Sequence, residues 1–315
     1  MKKSELFGSR IIDVQTNIVY SPASYINNIR SVSISGVQEK MFAVLDHHTI
    51  RLAKPGEQSQ YIIKPAPMDK LLARRNDMPI NEYVTMRIAS EVYGIKTAAN
   101  GLIFLADGHI AYIVKRFDIK ADKSKRYQED FCSILQKTAT KNGKSYKYDG
   151  SYLKIAEAIR RFIPTWRFEM PKFFSLVLFN YLFSNGDAHL KNFSVYQNED
   201  GLLTLTPAYD LLNTSLHIND EDFALQEGLG ITEKSDTYIH TGHPTITDFI
   251  QFGKECGMTD RQIITTIAPF MKNQEAVYLI CNESEMTEKS KRIYLRSYER
   301  RLAFLQRDCS TLHGE

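Results

Sequence analysis

Asp187, Asn192 and Asp210 are the residues whose types and spacing point most directly to chemistry. They stand in Asn185-Gly186-Asp187-Ala188-His189-Leu190-Lys191-Asn192-Phe193 and in Pro207-Ala208-Tyr209-Asp210. Phosphoryl transfer uses such a set: one Asp orients the attacking hydroxyl, and an Asn with a second Asp holds magnesium against the nucleotide phosphates. Asn192 and Asp210 offer hard oxygens, which suit magnesium with a few protein ligands, waters and phosphate oxygens. Taken singly, each has a plainer reading. An Asp after Asn-Gly is a solvated turn residue, and an Asn in a loop bonds its own backbone. His189 follows Asp187 closely, but no second His or Cys sits at ligand spacing, so a transition-metal site is rejected.

The surrounding pattern predicts elements that carry these residues. Pro171 to Ser184 is an apolar helical run opened by a proline and ended by Asn185-Gly186. The polar residues follow in the loop. Phe193 to Gln197 and Leu202 to Thr206 read as strands joined by the turn Asn198-Glu199-Asp200-Gly201. That hairpin carries the chain out and back, returning Asp210 towards Asn192.

Upstream, Lys40 to Asp46 and Tyr61 to Lys64 read as strands, separated by a turn-rich segment around Lys54-Pro55-Gly56. Asp77 to Tyr93 reads as a helix with Asp77 as its cap, Pro79 in its first turn and Gly94 at its end. Ile80, Val84, Ile88 and Val92 give it one apolar face. Gly101 to Ala106 and His109 to Phe117 flank Asp107-Gly108, a hairpin signal. Lys64, at the end of its strand, is placed to meet the α- and β-phosphates of ATP, with Glu82 as its carboxylate partner. The plainer readings are a surface lysine and a Glu favoured by the helix dipole. Lys115, Phe117 and Asp118 lie where a hinge would bind adenine through backbone groups and ribose through a polar side chain. Strand-end charge reads equally well for Asp118. Beyond it the pattern turns helical, chiefly at Ser151 to Ile163, Pro171 to Ser184, Asp260 to Met271 and Glu285 to Gln306. Residues 119–150 are partly loop and 217–244 irregular. The expected fold class is α+β, a two-lobed protein-kinase-like fold. A β-rich N-lobe spans 1–118 and a mostly helical C-lobe spans 119–315.

The segments Asn185 to Val195 and Pro207 to Leu212 resemble the catalytic segment of the HipA family of bacterial serine/threonine kinase toxins. Ser33-Ile34-Ser35-Gly36-Val37-Gln38-Glu39-Lys40, Tyr61 to Pro65, Asn81-Glu82-Tyr83, Lys115 to Asp118 and Gln128-Glu129-Asp130 agree in the family's order. The final part of the chain carries no motif that matches. The resemblance implies an ATP- and magnesium-dependent protein kinase. Ser35, Gly36 and Val37 would cover the phosphates, although the loop is not a Gly-x-Gly-x-x-Gly pattern. Asp187 would be the catalytic base, and His189 and Lys191 would position phosphates or transition-state charge. Tyr209 would contact the nucleotide, a core tyrosine being the plainer reading. Few residues precede Ser33, where HipA proteins carry an extra subdomain. With Ser33 and Ser35 as two phosphorylatable serines, this matches the short HipT type, encoded with a small HipS protein and a helix-turn-helix HipB protein. The resemblance further implies autophosphorylation of Ser33 or Ser35 and an aminoacyl-tRNA synthetase as substrate, the tryptophanyl or the glutamyl enzyme. It implies contact with DNA only through the antitoxin. Two other readings stay open: a catalytically weak, nucleotide-binding component of a HipB-type repressor complex, and a small-molecule phosphotransferase, since such enzymes share an Asp-x-x-x-x-Asn loop.

Composition is consistent with these expectations. The chain has 315 residues, 43% hydrophobic and 24% charged, with a net charge of +3. That is ordinary for a globular protein and gives no whole-surface nucleic-acid footprint. Cys132, Cys256, Cys281 and Cys309 are scattered, which argues against a disulfide framework or zinc site and for a reducing cytoplasm. The N-terminus has lysines but no apolar stretch after them, so no signal peptide is expected. No run reaches the ~18 apolar residues of a membrane span. The longest, Phe173 to Phe183, is interrupted by Ser175 and Asn180.

Overall fold

In the computed structural model, residues 3–7, 14–19 and 39–307 are described. Ser33, Ser35, Gly36 and Val37, the expected phosphate loop, lie outside them.

Period-two patterning builds the first sheet. Its strands are β1 (Gln15–Thr16), β2 (Met41–Asp46), β3 (Thr49–Leu52), β4 (Tyr61–Pro65), β5 (Asn100–Phe104) and β6 (Ile110–Lys115), in the order β1-β3-β2-β4-β6-β5. All neighbours are antiparallel except β1 and β3. On one face Met41, Ala43, Tyr61, Ile63, Ala111 and Ile113 form a core of their own, joined by Leu6 of the short helix α1 (Lys3–Phe7). The residues between them point the other way. Lys64 pairs in register with Tyr112, and both therefore face the rest of the molecule. Strand β3, not expected from sequence, precedes Lys54-Pro55-Gly56 in the turn-rich segment. Its hairpin with β2 turns at His47, whose φ of 55° is a left-handed value rarely taken by a residue other than Gly or Asn. The Asp107-Gly108 turn closes as its composition predicts, with Gly108 at φ 82°.

Helix α2 (Met78–Glu91) packs on that second face, with Pro79 in its first turn and Gly94 at φ 64° just beyond its end. Ile80, Val84 and Ile88 belong to the large core that continues through the helical part. Asp77 stands at the N-cap position of this helix, but its side chain makes no cap hydrogen bond. Its carboxylate instead accepts from Thr287 N (3.1 Å), Thr287 Oγ1 (2.7 Å) and Ser290 Oγ (2.5 Å), at the start of the last helix.

The helical part contains α3 (Phe131–Ile134), α4 (Ala139–Asn142), α5 (Tyr152–Phe162), α6 (Trp166–Leu182), α7 (Asp236–Thr241), α8 (Ile246–Glu255), α9 (Asp260–Ile267), α10 (Glu275–Asn282) and α11 (Glu288–Leu305). A small antiparallel sheet of β7 (Gln128–Asp130), β8 (Ser194–Gln197) and β9 (Leu203–Leu205) accompanies it. Helix α6 starts earlier than its proline suggests, so Pro171 lies inside it. The proline removes the bond that would serve the carbonyl of Arg167, which accepts from Gln262 Nε2 (3.4 Å) instead. Phe173, Phe174, Val177, Leu178, Phe179, Tyr181 and Leu182 are all buried along α6, making it the axis of the core. Gly253 lets α8 approach: a Cβ there would sit 2.7 Å from Ile263 Cγ1.

The last helix, α11, touches both parts. Besides the Asp77 contacts, Tyr294 Oη bonds Thr85 Oγ1 of α2 (2.9 Å), and Ser297 Oγ bonds Ser184 Oγ (2.7 Å) where α6 gives way to the polar loop. Together these elements make an α+β protein with a β-sheet lobe and a helical part. Among the described residues no helix is long and apolar enough to cross a membrane.

Candidate active site

The two parts meet at a cluster of charge. Lys64 Nζ, on the inner face of β4, bonds Glu82 Oε1 of α2 (2.6 Å) and the carboxylate of Asp210. Lys64 is 4% exposed and Glu82 1%. Lys40 Nζ reaches the other Asp210 oxygen (3.6 Å), as does Asn192 Nδ2 (3.2 Å). Burial by itself would raise the pKa of Asp210, but the Lys40 and Lys64 charges outweigh it and hold the carboxyl well below the usual range. Burial likewise works against the charge on Lys64, and Asp210 and Glu82 overcome it, raising the lysine. Glu82 fares differently. Burial pushes it up to about 7, Lys64 pulls it down, and Asp210 adds to the rise.

Asp210 is delivered by local structure on both sides. Ala98 N donates to Ala208 O (2.9 Å) and Ala208 N to Lys96 O (2.8 Å), which pins the chain after β9 to the approach of β5. Asp210 itself adopts φ 55°, a strained value for a residue with a Cβ, and its carbonyl accepts from Asn185 Nδ2 (3.3 Å).

The loop after α6 carries the remaining polar residues. His189 N donates to Asn192 Oδ1 (3.1 Å) and to Asp187 O (2.8 Å), and Asn192 N donates to His189 O (2.8 Å), closing a 3₁₀ turn at Leu190–Asn192. His189 is buried, and that burial pushes its imidazole down to about 4, so it is neutral near pH 7. Asp187, half-buried, accepts from Tyr148 Oη (2.7 Å). Lys191 Nζ donates to Tyr146 Oη (2.7 Å). Tyr146 and Tyr148 bound a second 3₁₀ turn whose middle residue, Lys147, is buried.

At the hinge, Asp118 is in a two-point pair with Arg116, through Nε (3.0 Å) and Nη2 (2.6 Å), and Arg116 Nη1 continues to Ser59 Oγ (2.8 Å). The Asp118 carboxylate is therefore already engaged. Lys115 N is taken by Ala99 O (2.8 Å). Tyr209 donates to Lys191 O (2.7 Å), accepts from Ser194 Oγ (2.5 Å) and packs on the Phe117 ring (5.5 Å between centroids). It thus ties Phe117 to the loop after α6.

Among the residues singled out from sequence, Lys64, Asp187, His189, Lys191, Asn192, Tyr209 and Asp210 come together, with Lys115, Phe117 and Asp118 bordering them. Sequence reasoning assigned no role to Lys40, Tyr146, Lys147, Tyr148 or Asn185. Tyr146, Lys147 and Tyr148 act on segments far along the chain and no local pattern marks them, whereas Lys40 and Asn185 stand inside the sequence motifs themselves. Among the described residues no group of three or more His, Cys, Asp or Glu side chains gathers as a metal site. Asn192 and Asp210 nonetheless converge side by side, and their oxygens are the donors magnesium takes.

Comparison with known proteins agrees with this geometry. A Haemophilus influenzae protein whose given name proposes a kinase is 29% identical over 294 residues, 88% of this chain and 82% of that protein. The serine/threonine-protein kinase toxin HipA of Shewanella oneidensis is 27% identical over 65% of this chain, which spans 48% of that toxin. Among solved structures, Shewanella oneidensis HipA, solved with HipB and operator DNA, superposes with a TM-score of 0.64 at 20% identity. The match covers 89% of this chain and 65% of that one. The Helicobacter pylori proinflammatory kinase CtkA gives 0.52 at 16% identity, over 84% and 94%. These likenesses establish a kinase fold. The model of the HipA-like C-terminal domain matches residues 32–277, and the chain belongs to that family.

Proposed function

We propose that this chain is an ATP- and magnesium-dependent protein serine/threonine kinase acting as a growth-inhibiting toxin. The observation that carries the reading is the convergence of Lys64, Glu82, Asn192 and Asp210 beside Asp187, contributed by both parts of the fold. The acceptor hydroxyl oxygen forms a bond to the γ-phosphorus. The bond to the bridging oxygen breaks, and its electron pair leaves with ADP. Asp187, held by Tyr148, orients the hydroxyl and takes its proton. Lys64 meets the α- and β-phosphates, with Glu82 fixing its ammonium. His189, neutral, acts as a hydrogen-bond donor rather than a charge, and Lys191 adds a cation. Asn192 and Asp210 would hold magnesium, which supplies charge neutralisation for the phosphates. The proposed adenosine contacts are Lys115, Phe117 and Asp118, the last of which must leave Arg116 to reach a ribose, and the proposed phosphate contacts are Ser35, Gly36 and Val37. The lobes divide near Asp118.

The substrate we propose is an aminoacyl-tRNA synthetase, tryptophanyl or glutamyl, whose phosphorylation stops translation. HipB-type and HipS-type proteins are the proposed partners, as in the HipT type, with DNA reached only through the antitoxin. These proposals rest on the catalytic-loop resemblance and on the Shewanella HipA–HipB–DNA relative. Labelled ATP in a cell lysate tests them, with Asp187→Ala as control. A labelled synthetase supports the proposal. A labelled metabolite points to a small-molecule phosphotransferase, and absence of transfer to a nucleotide-binding repressor component.

A further inference from the structure

The turn at Tyr146–Tyr148 is fixed to the catalytic loop at both ends. Tyr146 accepts from Lys191 Nζ (2.7 Å), and Tyr148 donates to Asp187 Oδ1 (2.7 Å). Tyr148 also meets the His189 ring edge-on, with centroids 5.4 Å apart. Lys147 stands between these anchors. It is 4% exposed, and its Nζ is buried without a hydrogen-bond acceptor, lying 4.7 Å from the centre of the Tyr148 ring.

An ammonium buried without an acceptor is strongly unfavourable, and an apolar side chain would serve packing better. The neighbouring cations differ from it. Lys64 is held by Glu82 and Asp210, Lys40 by Asp210 and Lys191 by Tyr146. Burial lowers the pKa of the Lys147 ammonium, and the charges of Asp187, Lys191, Lys40 and Asp210 act on it as well, so it lies in the field of the cleft itself. Its anchoring tyrosine holds the proposed base.

We propose that Lys147 is a further catalytic residue, donating hydrogen bonds to the oxygens of the phosphoryl group during its transfer. The proposal rests on the phosphotransferase reading above. No bond to Lys147 forms and its protons stay in place. The hydroxyl oxygen gains the γ-phosphorus, ADP leaves with the electron pair, and Asp187 receives the proton. The charge that develops on the transferring oxygens would meet a donor carried on a turn that two tyrosines fix to Asp187 and Lys191.

Lys147→Met keeps the length and the packing of the side chain and removes its charge. In the full chain it should lower kcat about 100-fold, the order seen when one such donor is lost, with KM for ATP changed less than about threefold. Affinity for magnesium ADP with aluminium fluoride should fall by a similar factor, while affinity for ADP stays near wild type. Lys147→Gln provides the same readouts if the Met variant does not fold. A kcat within about threefold of wild type, or parallel losses of ADP and ADP–aluminium fluoride affinity, would overturn the proposal. Asp187→Ala run alongside separates the two readings. An active wild type, an inactive Asp187→Ala and a fully active Lys147→Met reject only the role of Lys147. A wild type that transfers nothing rejects both.

Discussion

Glu82→Gln should make the protein more stable at alkaline pH and a poorer enzyme. Glu82 is 1% exposed, and its second oxygen, Oε2, is buried without a partner. Burial raises its carboxyl from 4.5 to about 7 despite the contact with Lys64. At about 1.36 kcal/mol per pH unit, ionising it inside the fold costs about 3 kcal/mol. The sign follows from linkage. Between pH 4.5 and about 7 the folded chain keeps a proton that the unfolded chain has released, so stability falls as pH rises and levels off above about 7. Glutamine resembles the protonated carboxyl and removes that slope. His189 titrates in the opposite sense, its folded value of about 4 lying below 6.5, but it does so equally in both proteins and cancels from the difference. Urea unfolding followed by far-ultraviolet circular dichroism, at steps from about pH 5 to about pH 8, measures the difference. Glu82→Gln minus wild type should grow by about 3 kcal/mol across that window. Relative to wild type, phosphoryl transfer should slow chiefly above about pH 7, where the wild-type tether on Lys64 is charged and glutamine is not. Parallel stability profiles for the two proteins would refute the reasoning.

Asp187→Ala and Asp210→Ala should each fold, and each should lose phosphoryl transfer by about 100-fold or more, read as initial rates with labelled ATP; a folded variant near wild-type rate would remove that residue from the mechanism. His189→Gln should flatten the loss of stability that the wild type shows as pH falls from 6.5 towards about 4, the window set by the depressed imidazole, and acid titrations of both proteins check it. Gly253→Ala should destabilise by about 1–3 kcal/mol without touching the cleft, since its Cβ would strike Ile263; a melting temperature unchanged from wild type contradicts that packing. Active protein should carry phosphate on Ser33 or Ser35, absent in Asp210→Ala, and the added charge of roughly −1.5 to −2 should lower ATP turnover; mass spectrometry that finds neither serine modified excludes it.

The parts of the fold that were legible in sequence are those fixed by neighbours in the chain. Asp107-Gly108 and Asn198 to Gly201 announce their turns, and Gly94 ends its helix, because the backbone angles needed there favour few residue types. Lys64 was legible because it ends an apolar strand just upstream of a helix, and strand alternation then turns it away from Ile63. What stayed hidden was decided by distant partners. His47 makes a hairpin turn without the usual composition. Pro171 is tolerated inside α6 because Gln262 supplies the orphaned carbonyl. Asp77 looks like a cap for the helix it precedes and instead serves Thr287 and Ser290. Asp118 reads as a free hinge carboxylate until Arg116 is seen to hold it. The loop after α6 was singled out from its residue types, while the tyrosines that contact Asp187 and Lys191 come from a segment read as partly loop.

The reach of Asp77 across to Thr287 also bears on how the molecule comes into being. Helix α2 carries Glu82, and through it the position of Lys64, yet its leading end is held by residues the ribosome adds more than two hundred positions later. Tyr294 and Ser297 extend the same dependence to Thr85 and to the threshold of the catalytic loop. A nascent chain that has already displayed every residue of the cleft still lacks the brace that sets them. A chain stopped short of Thr287 would carry Asp187 through Asp210 and still lack the contacts that hold α2 against α11.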